Sequence, residues 1–315
     1  MKPKEKIFHL LHQAEGAVSG ETISTELGVS RVSIWKHIKG MVGSGAPIVS
    51  TPKGYRLDRT ADNLSPWMFA TRRSLVHFFE ETTSTMDEAA VLARKGSPEF
   101  TVAVAQRQTH GRGRMERTWL SAHGGLYFSV VLRPWVSVEL SGLVNMAAAV
   151  DMALVLQSSY GISARVKWPN DILVDGNKIC GILSQMEVEG NQVSYINLGI
   201  GLNVNNHPEI DEPTAVSMRY LLGKAIPRRE VLVAFLDRFE KRMLDFTPSI
   251  VTDQWRKHTV TLGQKVRVVT IRNTVEGTAV DVDSQGGLIV QLQDGSQKTV
   301  VFGDCFHDQP NQPSR

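Results

Sequence analysis

Cysteine is scarce in this chain, with only Cys180 and Cys305 among 315 residues. That argues against a disulfide framework and fits a reducing cytoplasm. The nine histidines show no metal-ligand spacing with the cysteines or with each other, which speaks against a structural zinc site. Long hydrophobic runs are lacking too: the longest, Leu143 to Leu156, is interrupted by Asn145 and Asp151 and reads as too short to cross a bilayer. No apolar segment follows Met1-Lys2-Pro3-Lys4-Glu5-Lys6, so the expectation is a cytoplasmic protein without secretion or membrane insertion. There is no Walker phosphate loop, and Gly199-Ile200-Gly201 lacks the third glycine and following helix of a dinucleotide fingerprint. No grouping of hydroxyl, histidine and carboxylate marks a catalytic triad.

What is present is enough apolar residue, 42% of the chain, for a sizeable core spread over two or three domains. Charge is unevenly placed. Residues 1–60 hold nine Lys and Arg against five Asp and Glu, a net of +4, which leaves −1 for the other 255 residues of a chain at +3 overall. A basic excess confined to one end is the footprint of a small nucleic-acid-binding module beside a near-neutral domain.

Residues 1–62 read as that module. Ile7, Leu10, Leu11 and Ala14 recur at helical spacing over Lys4 to Ala14, a second short helix fits Glu21 to Leu27, and Ser30 is placed to cap a third. The third helix turns Ile34, Ile38, Met41 and Val42 inward and leaves Arg31, Ser33, Trp35, Lys36 and Lys39 outward. Two helices joined at Leu27-Gly28-Val29 match a helix-turn-helix, whose second helix presents its N-terminal residues to DNA. Ile48 to Ser50 and Tyr55 to Leu57, around Pro52-Lys53-Gly54, then form a wing-like hairpin. A helical packing module with a solvated charged face is the alternative. Asn63-Leu64-Ser65-Pro66 reads as a linker.

The central region, residues 63–260, is organised around Arg107 to Trp119, which packs four arginines, two glycines and a tryptophan between the strand-like runs Thr101 to Gln106 and Leu126 to Leu132. Glycines at 111 and 113 permit unusual backbone angles and close approach of N–H groups, and guanidinium groups offer forked donors to phosphate or carboxylate. The stretch therefore reads as an anion-holding loop, against the alternative of a solvated basic loop. Upstream, a strand at Leu75 to Phe79 leads to Ser84-Thr85 and an alanine-rich helix, where the hydroxyls serve either as helix caps or as ligand groups. Downstream, Ser137 to Tyr160 reads as a long helix with Leu140, Leu143, Val144, Ala147, Val150 and Leu154 on one face. Then comes Lys167-Trp168-Pro169-Asn170-Asp171, a turn at Asp175-Gly176 with Lys178 on the return strand, and a hairpin of Lys178 to Val188 with Val193 to Ile200. The polar set Arg112, Arg114, Arg117, Lys167, Asn170, Lys178 and Asn203 suits charge stabilisation better than proton transfer, which points to phosphoryl or nucleotidyl transfer.

Beyond this lie helices at Met218 to Leu222 and Arg228 to Phe246. Four short strands follow within 261–307, Lys265 to Thr270, Glu276 to Asp283, Leu288 to Gln293 and Lys298 to Phe302, and read as a small barrel. Residues 308–315 read as a disordered tail.

Taken together, the winged helix, Ser84-Thr85-Met86, Gly111-Arg112-Gly113-Arg114, Lys167 to Asp171, Lys178 and Gly199 to Asn203 resemble the biotin protein ligase family, in the bifunctional form that is also the biotin operon repressor. The resemblance covers nearly the whole chain. It implies an α+β fold: an N-terminal winged helix-turn-helix, a class II synthetase-like catalytic domain on a central mixed β-sheet with helices, and a C-terminal SH3-like β-barrel. It implies condensation of biotin with ATP and Mg2+ to biotinyl-5′-AMP, and transfer of biotin to a lysine of the biotin carboxyl carrier domain of acetyl-CoA carboxylase. Carried over by position, Ser84, Thr85, Met86, Gln108, Gly111, Arg112, Gly113, Arg114, Lys178 and Gly181 would meet biotin, with Lys178, Arg112 and Arg114 catalytic. Arg117, Trp119, Lys167, Asn170 and Asn203 would meet ATP, Trp119 offering an aromatic face to adenine. Ser30, Arg31, Ser33, Trp35 and Lys36 would meet operator DNA, bound by a homodimer that forms on adenylate binding. Two residues depart from the family pattern: Glu116, where the loop usually continues with glycine, and Met86, where some members carry asparagine. An enzyme with a vestigial winged helix, and a ligand-sensing transcription factor without ligase activity, remain alternatives. A lipoate ligase shares the architecture but not Lys-Trp-Pro-Asn-Asp.

Overall fold

The computed structural model describes residues 2–59, 62–115, 117–133, 137–190, 192–271 and 273–307. Glu116 and the expected tail at 308–315 lie outside the described residues. The chain divides into two compact units, Met1–Phe78 with Pro227–Arg229, and Phe79–Ile226 with Glu230–Arg315.

The first unit holds α1 (Pro3–Gln13), α2 (Gly20–Leu27), α3 (Arg31–Val42) and the antiparallel hairpin β1 (Ile48–Thr51) and β2 (Gly54–Leu57). Gly28 takes a left-handed φ of 67° and ends α2, and Ser30 Oγ accepts from Ser33 N at 3.2 Å to start α3. This is the cap-to-cap connection expected of a helix-turn-helix. Gly54 (φ 131°) is obligatory in the wing, because a Cβ there would lie 2.2 Å from Val18 O. Ile7, Leu11, Ile23, Ile34, Ile38 and Met41 form the core. Val42, expected inward, is exposed: as the last residue of α3 it lies about 100° round the helix from Met41, at the edge of the buried stripe. The expected linker is not one: Leu64 and Ser65 are buried, and Trp67, in the 3-10 segment Pro66–Arg72, joins the core with its Nε1 donating to Ser44 Oγ at 3.0 Å.

The second unit is built on a seven-stranded mixed sheet in the order β3-β4-β5-β9-β8-β7-β6. β3 (Val76–Thr82), α4 (Thr85–Arg94) and β4 (Thr101–Gln108) make a crossover at one edge, and β5 (Leu126–Leu132) pairs antiparallel with β4. The helix α5 (Ser141–Tyr160) is next, followed by β6 (Arg165–Lys167), β7 (Asp171–Val174), β8 (Asn177–Glu189) and β9 (Gln192–Leu202). The turn between β7 and β8 has Asp175 at φ 48° and Gly176 at φ 82°, the two positive angles of a tight hairpin.

α5 differs from its expected single apolar face. It is buried nearly all round, including Met146, Ala148 and Met152, while Leu140 and Leu154 are only half-buried. With the turn before it, Val138–Tyr160 spans 23 residues and holds an 18-residue stretch at mean hydropathy 1.5, long and apolar enough to cross a membrane, contrary to the reading from Leu143 to Leu156 alone. About two thirds of its most apolar stretch is nevertheless buried inside the protein, as for a core helix. Its fully buried Asp151 is compensated by Arg238 at 2.8 Å and Arg242 at 2.6 Å. Both arginines belong to α7 (Arg228–Leu244), which follows the short α6 (Met218–Leu222). α7 also lays Phe235 against Phe128 of β5, ring centroids 5.6 Å apart.

A further helix, α8 (Pro248–His258), escaped the sequence reading, although Pro248 at its first turn and Val251 and Trp255 on its buried side carry the signal. The C-terminal sheet has five strands, not four: β10 (Lys265–Val269), β11 (Thr274–Val282), β12 (Leu288–Gln291), β13 (Gln297–Val300) and β14 (Asp304–His307). Their order is β13-β12-β11-β10-β14, an open antiparallel sheet rather than a closed barrel, with the unforeseen β14 completing one edge against β10. Trp168 fixes this sheet to the central one, its backbone N donating to Thr261 Oγ1 and its Nε1 to Gly286 O, each at 3.0 Å.

Candidate active site

A cavity of about 550 Å³ opens on the central sheet. Its floor is made of glycines on the β8–β9 ladder: Gly181 faces Gly201, and Gly199 lies opposite Leu183. Side chains lie flat there because no Cβ intervenes. A Cβ at Gly201 would come within 2.5 Å of the Trp119 ring, one at Gly181 within 2.8 Å of it, and one at Gly199 within 2.8 Å of Met86. The Trp119 Nε1–H is buried without a hydrogen-bond partner.

One wall is the start of α4. Ser84 is its N-cap, accepting from Met86 N at 3.3 Å, so the capping and ligand readings apply to one residue: it caps, and it faces the cavity. Thr85 Oγ1 lies 2.9 Å from Ser129 Oγ, and Thr85 N donates to Gln108 Oε1 at 2.8 Å. Gln108 Nε2 in turn donates to Ser121 Oγ at 2.8 Å. The amide is thereby locked between wall and loop, so its orientation is set before any ligand arrives.

The arginine loop forms the second wall. Arg112, Gly113, Arg114, Arg117 and Trp119 line the cavity; Gly111 does not. Gly111 lies behind, where a Cβ would be 2.4 Å from Trp119 O, and its carbonyl accepts from Trp119 N at 2.8 Å. The expectation of unusual glycine angles is corrected: both loop glycines serve close backbone approach, and the positive φ falls on Met115, at 49°.

Charges converge on this space. Lys178 Nζ lies 2.7 Å from Asp171 Oδ1 and 5.3 Å from the centroid of the Trp119 ring. The Lys178–Asp171 contact is an ion pair rather than a well-aligned hydrogen bond, because that oxygen has no partner of hydrogen-bond geometry. Arg112 holds Asp87 at 2.6 Å, and Arg117 pairs with Asp304 on β14. Arg114 donates to Gly303 O at 3.1 Å. Burial lowers the pKa of Arg114 and Arg117 reinforces the shift, against the pull of Asp171, so Arg114 is a partly desolvated cation beside a second one.

Lys167, Asn170 and Asn203 also reach the cavity. The two asparagines have structural duties as well. Asn170 Nδ2 donates to Ile182 O at 2.6 Å, and Asn203 Oδ1 accepts from Asn206 Nδ2 at 2.9 Å. Several lining residues were not anticipated: Asp171, Asp304, Phe306 and the segment around Glu212 to Ala215. Asp171 was inside a recognised motif, and its position opposite Gly181 on the hairpin was its signal. The others arrive only through tertiary folding. Thr214 O accepts from Lys178 N at 2.7 Å, which lays that segment beside the lysine.

Comparison with known proteins gives this arrangement a family. The chain is 34% identical to the bifunctional ligase/repressor BirA of Bacillus subtilis, over 94% of its own length and 96% of that protein's. The chain belongs to the biotin protein ligase family. Within it, residues 78–203 match the Biotin/lipoate A/B protein ligase family, residues 4–56 an HTH domain and residues 261–308 the Biotin protein ligase C terminal domain. The biotin–[acetyl-CoA-carboxylase] ligase of Mycobacterium tuberculosis is 32% identical over 72% of this chain and 86% of its own. Among solved structures, the Aquifex aeolicus biotin protein ligase in complex with biotin and ATP aligns at 28% identity and a TM-score of 0.62, covering 74% of this chain and 98% of that one.

Proposed function

We propose that this chain is a biotin protein ligase that joins biotin to ATP as biotinyl-5′-AMP, passes biotin to a lysine of a biotin carboxyl carrier protein, and represses transcription through its winged helix. The observation that carries the catalytic half is the convergence of Lys178, Arg112, Arg114 and Arg117 on one glycine-floored cavity. In the first step a carboxylate oxygen of biotin attacks the α-phosphorus of ATP and pyrophosphate leaves. Two anions must meet, so positioned cations lower the barrier more than any proton transfer does.

Lys178 serves the oxygens at the junction, and Arg114, already partly desolvated, serves the carboxylate or the α-phosphate as charge moves between them. Arg112, with Gly113, closes the biotin side, where Ser84, Thr85, Met86, Gln108 and Gly181 shape the pocket. Gly111 acts on the loop backbone rather than on biotin. Trp119, Arg117, Lys167, Asn170 and Asn203 form the nucleotide side, with the Trp119 ring, laid on the glycine floor, offering its face to the base. In the second step the carrier lysine amine attacks the acyl carbon and AMP leaves. Among the described residues no group of three or more His, Cys, Asp or Glu is placed to hold a metal. Mg2+ brought with the triphosphate would lessen the repulsion between the two substrates.

For the regulatory half, Ser30, Arg31, Ser33, Trp35 and Lys36 lie on or cap α3, four of them exposed, on the basic N-terminal unit. A homodimer formed on the adenylate presents two such helices to a palindromic operator. The dimer reading is supported by β8, which runs past the end of its ladder with β7 at Gly181 and exposes Met186 and Val188 beyond it. Biotin-dependent exchange of pyrophosphate into ATP tests the first step. Exchange driven equally well by lipoate, or none from folded protein, would refute the assignment.

A further inference from the structure

A recognition helix needs polar groups for phosphates and base edges, yet two side chains near the start of α3 that are more than half exposed are apolar. Val32 is 63% and Trp35 51% accessible. They stand three residues apart, on one face, with Ile34, Ile38 and Met41 turned to the core behind them. Arg31 and Lys36 flank them, both exposed, and Lys39 Nζ sits 5.1 Å from the centroid of the Trp35 ring. Val32 belongs to none of the contacts proposed so far. Leaving a valine and an indole in water side by side stabilises neither folding nor solubility, whereas basic neighbours on each side match the charge of a duplex.

In the major groove the apolar feature that distinguishes bases is the 5-methyl group of thymine. We propose that Val32 and Trp35 form a clamp for a thymine methyl in each half-site, Val32 contacting the methyl and the Trp35 ring covering it from the side, while Arg31, Lys36 and Lys39 hold the phosphates. The inference rests on the DNA-binding reading above and adds to it a chemical class of base. It also gives Trp35 an apolar role rather than a hydrogen-bonding one.

The test uses the full chain with biotin and ATP present. Duplexes are selected from a random pool, and each thymine of the selected half-site is replaced in turn by uracil, which lacks only the methyl. At fixed salt, at least one replacement should weaken binding about fourfold, the worth of one buried methyl. Val32→Ala, which alters both half-sites at once, should bind the thymine duplex about 15-fold more weakly, fourfold at each, and no longer distinguish it from the uracil duplex. Val32→Thr, of nearly the same shape, should keep part of the preference, and Trp35→Ala should lose it. Binding that ignores uracil at every position overturns the clamp while leaving DNA binding intact, and so does a preference that survives in both Val32→Ala and Trp35→Ala. No binding to any duplex at low salt would remove the DNA-binding reading itself.

Discussion

Replacement of Lys178 by alanine probes the charge argument most sharply, because the structure fixes both what is lost and what is left behind. The ammonium group would act on the forming carboxylate–phosphate junction from about 4 Å, where one unit charge pair is worth about 4 kcal/mol at the effective dielectric of a partly open site. Loss of that term should slow biotin-dependent pyrophosphate release by about 10³-fold. Alanine also strands Asp171, whose Oδ1 lies 2.7 Å from Lys178 Nζ in the parent, as an uncompensated carboxylate facing two anionic substrates. Adding Asp171→Asn to Lys178→Ala should therefore recover about tenfold, although Asp171→Asn alone removes a partner of the lysine and should not accelerate the parent. The assay is enzyme-coupled detection of pyrophosphate at saturating biotin, with circular dichroism to show that each variant is folded. A Lys178→Ala enzyme within tenfold of the parent, or a double variant slower than the single, would refute the reasoning.

Three further outcomes follow from the packing. Asp151→Ala strands Arg242 and Arg238, Arg242 being only 11% exposed, and should cost about 3–5 kcal/mol, lowering the melting temperature by roughly 10 °C; a shift of a degree or two would mean that the pair contributes little. Gly201→Ala places a Cβ 2.5 Å from the Trp119 indole and should lift the ring from the sheet, seen as a shift in indole fluorescence and a KM for ATP raised about tenfold with the fold intact; unchanged kinetics would contradict the glycine-floor account. Burial, aided by Lys167, lowers the His307 pKa to about 4. Because the unfolded chain takes up a proton near pH 6.5 and the folded one does not, stability should fall between about pH 6.5 and 4, by roughly 1–2 kcal/mol after allowance for partial exposure. His307→Gln should abolish that part of the acid sensitivity in urea titrations, and an unaltered pH profile would dissociate it from this residue.

The sequence was most legible where local chemistry and tertiary structure agree. Capping by Ser30 and the Gly28 turn are local devices, and so are the strand Leu126–Leu132 and the Asp175-Gly176 turn; all were readable from spacing alone. The segment at Leu64 to Trp67 failed because Asn, Ser and Pro mark a turn whether or not it is packed, and only the Trp67 contact distinguishes the two. Strand β14 failed because four residues opening with an aspartate have little pattern of their own and exist through their register with β10. The same cause hid Asp304, one of the cavity's carboxylates. Asp304 could not be connected to Arg117 by any spacing rule, since nearly the whole catalytic domain intervenes between them. Cations of the site announced themselves in motifs, while the partner of Arg117 was supplied by the fold.

The central claim is that one cavity both activates biotin and delivers it to protein. Incubation of the purified full chain with biotin, ATP, Mg2+ and a biotin carboxyl carrier domain, followed by intact-mass and peptide analysis of the carrier, tests it most directly. The account predicts a single biotinyl group on one carrier lysine, dependent on both biotin and ATP and absent with Lys178→Ala. A folded chain that leaves the carrier unmodified, or modifies it without ATP, would contradict it.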